Sequence, residues 1–439
     1  MYRELVDGCD MLVTLANGTK CAEVYLDNAA TTPPLKSVCK ELQSFIPCYA
    51  SVHRGAGLKS RMSDEMLENA RMTALSFVGG NPDHDVAIFV NNTTDGINQL
   101  AVQMAEELVN PISGKAATER DVIISSVMEH HSNILPWRNS FFTEYVEVDS
   151  AGRLLMDDLE AKLRRYNGRV RLVTVAGASN VTGYVNPIHE IAALAHTYGA
   201  EALVDAAQLA PHRPIDLQAP GTPGHIDYIV FSAHKMYAPF GVGVLIGPRS
   251  FFSRNAPARC GGGTVRSVTL NDVLWEDPPL KNEAGTPNLL GILALGSAIS
   301  SLRLLGFDEL MRHESEMTKY CLTKLRSLPG VTVYPDDSDK PRVGVITFNV
   351  FGYPHDQLAK ALADKAGIAV RSGCFCAEPY AQRLLGISDA EAAPYRGKPK
   401  NERPGMVRAS LGIQNSKEDI DFLINTLLEL QTRNNKRLL

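Results

Sequence analysis

The sequence predicts an α/β fold: a large domain built on a mostly parallel sheet, joined to a smaller α+β domain. Three observations predict it. Between about Lys59 and Gly247, short apolar runs alternate with amphipathic stretches, the pattern of βαβ units whose strands are covered on both faces. After about Leu302 the pattern changes to helix, strand, strand, helix. The chain has 439 residues, more than the roughly 100–200 of a usual single domain. The large domain is assigned to residues 40–302, and the smaller one to 1–39 together with 303–439.

Taken in order, apolar spacing predicts a helix over Arg61–Phe77, a strand over Val86–Val90, a helix from Asp95 and a strand over Val122–Ser126. Strands follow at Val170–Ala176, Ala202–Asp205, Tyr228–Phe231 and Gly243–Ile246, with a helix over Pro187–Tyr198. The run Leu-Val-Thr-Val-Ala176 is β-branched and nearly all apolar, so both of its faces need cover. Pro187 suits a first helical turn, where a missing N–H costs nothing. In the second part, helices are predicted over Phe307–Ser327 and Asp356–Ala366, and strands over Val331–Tyr334 and Gly344–Val350. A last amphipathic helix spans Lys417–Asn435, with Glu418 and Asp419 in its first turn, where the helix dipole favours anions. Gly386–Gly405 is rich in Pro, Ala and charge and is expected to be a mobile loop.

Composition excludes several classes. Lys and Arg number 44 against 49 Asp and Glu, a formal net charge of −5, and no basic stripe marks a nucleic-acid binder. The longest apolar stretch, Leu289–Leu302, is short and broken by Gly and Ser, so no membrane span is expected. The first ten residues carry Arg3, Glu4, Asp7 and Asp10 and do not resemble a secretory signal. Of eight Cys, only Cys374 and Cys376 are close together. A reduced, cytoplasmic chain is therefore expected. With no second Cys or His pair at zinc-like spacing, no metal site is expected.

Four segments follow predicted strands, where an α/β sheet presents ligand-binding groups. Ser232-Ala-His-Lys235 offers an amine for Schiff-base chemistry, although a Lys after a strand is more often an ordinary surface residue. Asp205-Ala-Ala-Gln208 offers a carboxylate for a protonated ring nitrogen, or simply an N-cap. Asn92-Thr-Thr-Asp-Gly96 opens a helix whose free N–H groups suit a phosphate, or ordinary capping. Glu129-His-His131 offers a ring to stack on a flat cofactor or to move protons, or a solvated loop. Each is weak alone. Together they supply a phosphate cradle, a stacking group, a pyridinium partner and an amine.

Tyr25-Leu-Asp-Asn-Ala-Ala-Thr-Thr32, His53-Arg-Gly55, Thr93-Thr-Asp-Gly-Ile-Asn98, Met128-Glu-His-His-Ser-Asn133, Val204-Asp-Ala-Ala-Gln208, Ser232-Ala-His-Lys235, Glu283-Ala-Gly-Thr-Pro-Asn288, Arg371-Ser-Gly-Cys-Phe-Cys376 and Val407-Arg-Ala-Ser-Leu411 occur in this order. From about Tyr25 to Leu430 the chain resembles class V aminotransferase-fold enzymes. Within them it is most similar to the cysteine desulfurase/selenocysteine lyase branch that serves SUF-type iron–sulfur assembly. The resemblance implies the fold type I of pyridoxal-phosphate (PLP) transferases and a homodimer with active sites at the subunit interface. It implies that Lys235 forms the Schiff base with PLP, that Asp205 faces the pyridine nitrogen and Gln208 the phenolic oxygen, and that His130 stacks on the ring. Thr94, Ser232 and His234 are implied as phosphate ligands, joined by Thr264 from the partner subunit. Asn180, Arg371 and Arg408 are implied for the substrate, a bidentate Arg suiting its carboxylate.

The activity so implied is conversion of L-cysteine, or a related amino acid, to alanine, with a persulfide left on Cys376 for an acceptor protein. Gly373 before Cys376 and Pro379 after it predict a loop that lets the sulfur swing between substrate and acceptor. Two departures from the branch stand out. Cys374 and Phe375 replace the polar or His residues expected before the loop Cys, so the Cys-x-Cys pair either forms a disulfide, passes sulfur between its thiols or is accidental. The run is also similar to the desulfurase-like part of molybdenum cofactor sulfurases. The segment from about Leu385 to Gly405 is longer than expected; it either covers the site, alters partner docking or is an inert surface loop. Alternative activities on the same scaffold are another C–S lyase, selenocysteine lyase, epimerase or aminotransferase. A scaffold without catalysis would be expected to lack Lys235 or Asp205, and both are present.

Overall fold

A computed structural model describes residues 2–108, 119–254, 256–335 and 341–438. A seven-stranded sheet organises the larger part, in the spatial order Asp85–Val90, Gly243–Pro248, Tyr228–Ser232, Glu201–Asp205, Val170–Ala176, Val122–Ser126, Phe142–Val146. The Gly243–Pro248 strand is antiparallel to both of its neighbours, and the other pairings are parallel. All strands but Gly243–Pro248 therefore point their carboxyl ends to the same edge. The 85–90, 122–126, 170–176 and 228–232 strands are buried along their whole length, as expected of near-continuous apolar runs covered on both faces.

One face is covered by the helices Leu58–Phe77 and Leu289–Leu305, whose buried residues join the cluster around Phe89, Val204, Phe231 and Ile246. Leu289–Leu305 is largely apolar and buried from Gly291 to Ile299, the position such a helix takes in a large core, while its last turn, with Arg303 and Leu304, is exposed. No single helix among the described residues is long and apolar enough to cross a membrane. The other face is covered by Thr93–Glu106, packed with Leu172, Leu203 and Val230, while Ile188–Thr197 extends the cover of the first face over Val173 and Val175. A buried ion pair locks the first face: Arg71 Nη1 lies 2.6 Å from Glu283 Oε1, which also accepts the amide of Phe89 at 2.7 Å. The Glu283 motif is thus a brace between helix and sheet.

A four-stranded antiparallel sheet, in the order Val331–Tyr334, Val345–Val350, Met406–Ser410, Arg371–Gly373, organises the second part. It shares a separate core with the helices Phe307–Arg326, His355–Ala366 and Lys417–Leu438. The N-terminal segment joins it: Val24–Tyr25 pairs in parallel with Ile368–Ala369, and Asp27 forms a bridge with Ser410. The predicted elements recur within a few residues of their expected ends. The 386–405 segment differs from expectation, because it carries the short helix Asp389–Ala392 and two 3-10 turns, Ala393–Tyr395 and Lys400–Glu402. A reciprocal capping box between Ser388 and Glu391 starts that helix, satisfying end groups a loop would leave to water.

Candidate active site

Five carboxyl strand ends at one edge, those of the 85–90, 122–126, 170–176, 201–205 and 228–232 strands, leave a cavity of about 490 Å³, roofed by the Met406–Ser410 strand and the 371–376 segment of the smaller sheet. It is lined by Thr94, His130, Asn180, Asp205, Gln208, Ser232, His234, Lys235, Arg371, Cys376 and Arg408. All the predicted site residues but Thr264 therefore meet there. Thr264 is buried elsewhere in its own protomer, its hydroxyl donating to the Gly261 carbonyl at 2.7 Å.

The helix Thr93–Glu106 points its N-terminus at the cavity, with Asn92 as its cap: Asn92 Oδ1 accepts the Asp95 amide at 3.0 Å. Gly243 permits this approach, since a Cβ there would fall 2.8 Å from the Asn92 backbone. Thr93 donates its amide to Ser232 Oγ at 2.8 Å, tying the helix start to the end of the Tyr228–Ser232 strand across Gly243–Pro248. Thr94 Oγ1 lies 2.7 Å from Ser132 Oγ, which in turn lies 2.9 Å from His130 Nδ1. Hydroxyls and a positive helix end converge there, the chemistry of a phosphate cradle.

His130 Nδ1 accepts the Ser132 amide at 3.1 Å, which leaves the proton of the neutral ring on Nε2. Burial, with Lys235, His131 and Arg408 nearby, pushes its pKa down to about 3. Burial and Lys235 likewise push His234 down to about 4. Burial pushes Lys235 down to about 8, against the attraction of Asp205, with Arg408 adding to the depression. Asp205 is buried at its strand end; burial raises its pKa, opposed by the Ala207 amide that its Oδ1 accepts at 3.0 Å and by Lys235.

Arg408 is buried. Its Nη2 lies 3.1 Å from Asp27 Oδ1, and its Nη1 donates to the Asn180 carbonyl at 2.9 Å. Asp27 Oδ2 also takes Arg371 Nη2 at 2.7 Å and Nε at 3.0 Å. Burial lowers the Arg408 pKa to about 10 despite Asp27, whereas the bond to Asp27 raises that of Arg371. Asp27 was not singled out from sequence, although its motif was; its role needs the pairing of residues 381 positions apart.

The Cys376 loop is short and pinned, not free to swing. It runs between the Arg371–Gly373 strand and the Glu378–Leu385 helix, and all three carbonyls of its centre are bonded. Those of Cys374, Phe375 and Cys376 accept from the Ala377 amide at 3.0 Å, Asn180 Nδ2 at 2.7 Å and the His131 amide at 2.7 Å. The Arg408 guanidinium covers the Phe375 ring at 5.0 Å. Cys376 itself is exposed and faces the cavity.

The model of the class-V aminotransferase family matches residues 24–423. The chain belongs to that family. Class-V aminotransferases are generally PLP enzymes. The chain is 35% identical over 411 residues to a probable cysteine desulfurase of Halalkalibacterium halodurans, covering 92% of each. It is 34% identical over 410 residues to a cysteine desulfurase of Shigella sonnei, again covering 92% of each. Among solved structures, the apo cysteine desulfurase of Thermococcus onnurineus NA1 superposes with a TM-score of 0.80 at 31% identity, covering 93% of this chain and 94% of that one.

The class-V cavity here fits PLP on its own terms. Gln208 donates Nε2 to the Ala29 carbonyl at 2.6 Å and leaves its Oε1 buried without a hydrogen-bond partner. Such an orphaned acceptor costs free energy until a ligand donor meets it. A half-buried amine, a buried carboxylate, a neutral imidazole and a helix N-terminus stand around the same space.

Proposed function

We propose that this class-V enzyme is a PLP-dependent cysteine desulfurase, converting L-cysteine to L-alanine and leaving a persulfide on Cys376. The observation that carries the reading is that Cys376 and Lys235 line one cavity. In that cavity Lys235 would hold PLP, with Asp205 at the ring nitrogen, Gln208 at the phenolic oxygen and His130 over the ring. Thr94, Ser232 and His234 would hold the phosphate. When bound, PLP supplies an electron sink for the carbon from which a proton is taken.

The chain's residues do the rest. Arg408, with Asn180 and Arg371 beside it, binds and orients the substrate carboxylate. Lys235, neutral above about pH 8, takes the proton from Cα. The Cys376 thiolate attacks the substrate sulfur: an S–S bond forms, the Cβ–S bond breaks, and its electron pair leaves with Cβ, which is then protonated. Cysteine and one protein thiol thus become alanine and one protein persulfide, with no outside oxidant. Only the thiolate is an effective nucleophile.

The persulfide would go to an acceptor protein, iron–sulfur assembly of the SUF type being the destination we propose. A homodimer is part of the reading; for Thr264 to complete the partner's phosphate site, its buried hydroxyl would have to leave the Gly261 carbonyl. In support, the hairpin that follows Thr264 exposes Val268, Leu270 and Leu274. We keep the domain division at 40–302 and 1–39 with 303–439, and a reducing, cytoplasmic setting that suits free thiols.

The test is Cys376→Ala in the PLP-loaded enzyme supplied with L-cysteine. Loss of alanine and sulfide with the visible coenzyme band retained is expected. Undiminished turnover would overturn persulfide chemistry and leave a C–S lyase.

A further inference from the structure

Cys374 stands two residues before Cys376, and the chain between them is folded unusually tightly. Phe375 and Cys376 both have positive φ, 55° and 56°, a left-handed conformation costly for residues with a side chain. The turn is closed by the Ala377 amide, which donates to the Cys374 carbonyl at 3.0 Å. The two thiols are thus carried two residues apart on one closed turn.

The surroundings differ for the two thiols. Cys376 is exposed to the cavity, while Cys374 is half-buried against the apolar cluster of Met128, Tyr184, Phe375 and Tyr380. Burial, with Glu378 nearby, pushes the Cys374 thiol up, but it is its place outside the cavity lining that keeps Cys374 from the first attack on substrate. The pinned loop matters here too. With the carbonyls of 374, 375 and 376 all bonded, a sulfur on Cys376 moves by side-chain rotation, and Cys374 is the thiol carried by the same turn.

Resting on the desulfurase reading above, we propose that Cys374 is a second sulfane-sulfur site that takes the terminal sulfur from Cys376 and frees it for another turnover. The Cys374 sulfur attacks the outer sulfur of the Cys376 persulfide. The S–S bond on Cys376 breaks as a new one forms on Cys374, and the proton of the Cys374 thiol ends on the Cys376 sulfur. The exchange moves one sulfur atom between two thiols with no net oxidation or reduction.

The test uses PLP-loaded wild-type enzyme, excess L-cysteine, and neither acceptor nor added thiol. Alanine is counted in the first burst, and sulfane sulfur is located by alkylation and peptide mass spectrometry. The expected burst is about two alanines per chain, with sulfane sulfur on both Cys374 and Cys376. Cys374→Ser should halve the burst and confine the sulfur to Cys376, and Cys376→Ser should give none on either. Cys374→Ala serves if the serine variant folds poorly, and the mapping in wild type needs neither. The proposal is overturned by a burst that Cys374→Ser leaves unchanged, by sulfane sulfur found on Cys376 alone, or by a Cys374–Cys376 disulfide with sulfide released. Wild-type enzyme that makes no alanine would instead overturn the desulfurase reading itself.

Discussion

Asp27 Oδ1 lies 3.1 Å from Nη2 of Arg408, so the buried arginine at the cavity wall already holds a carboxylate of its own chain. The pairing keeps a buried guanidinium compensated while the cavity is empty of substrate. It also leaves Arg408 Nε buried without a partner, a donor waiting for a second carboxylate.

Arg408→Lys should raise the KM for L-cysteine by about 10–100-fold, the equivalent of roughly 1.5–3 kcal/mol for a hydrogen bond to a charged group. A lysine still compensates Asp27 but presents a point charge, not a planar fork. The visible coenzyme band should persist, separating lost substrate binding from lost coenzyme. Steady-state kinetics with an unchanged KM would place the substrate carboxylate elsewhere.

Attachment of PLP to the apo-protein should accelerate with pH and level off near pH 8. Burial depresses the Lys235 pKa to about 8 from an ordinary 10.5, so the reactive neutral amine grows about tenfold per pH unit below that point and is dominant above it. Stopped-flow absorbance at a series of pH values reads this directly. A rise that continues to pH 10 would mean an ordinary, unburied amine.

Glu129 should make the fold less stable as pH rises from about 4.5 to about 7. Its carboxyl is fully buried between Ser126 Oγ at 2.5 Å and Asn133 Nδ2 at 2.7 Å, and burial pushes its pKa up to about 7. A raised carboxyl pKa contributes stability that is full below the unfolded value and is lost as pH rises through the folded one. The size is on the order of 3 kcal/mol. Glu129→Gln keeps the shape without the proton, so its denaturant midpoint should lose this slope. Parallel pH curves for the two proteins would refute the assignment.

Much of the site was legible because strand ends are local. Lys235, Asp205, His130 and Thr94 each follow a run whose period marks a buried strand, and parallel pairing delivers such ends to one edge. The short helix in the 386–405 segment is not legible in the sequence, because Pro, Ala and charged residues mask a capping box that acts over only three positions.

By itself the sequence determined the parallel-sheet architecture and the placing of Lys235, Asp205, His130 and Thr94 just after buried strands. These follow from local periodicity and from side-chain chemistry at strand ends. Tertiary structure decided which carboxylate compensates Arg408, that the Cys376 loop is pinned at three carbonyls, and that Thr264 lies outside its own protomer's cavity. The physical reason is separation along the chain. Each depends on contacts between segments that meet only after both sheets have formed, and no spacing in the sequence encodes the distance between them.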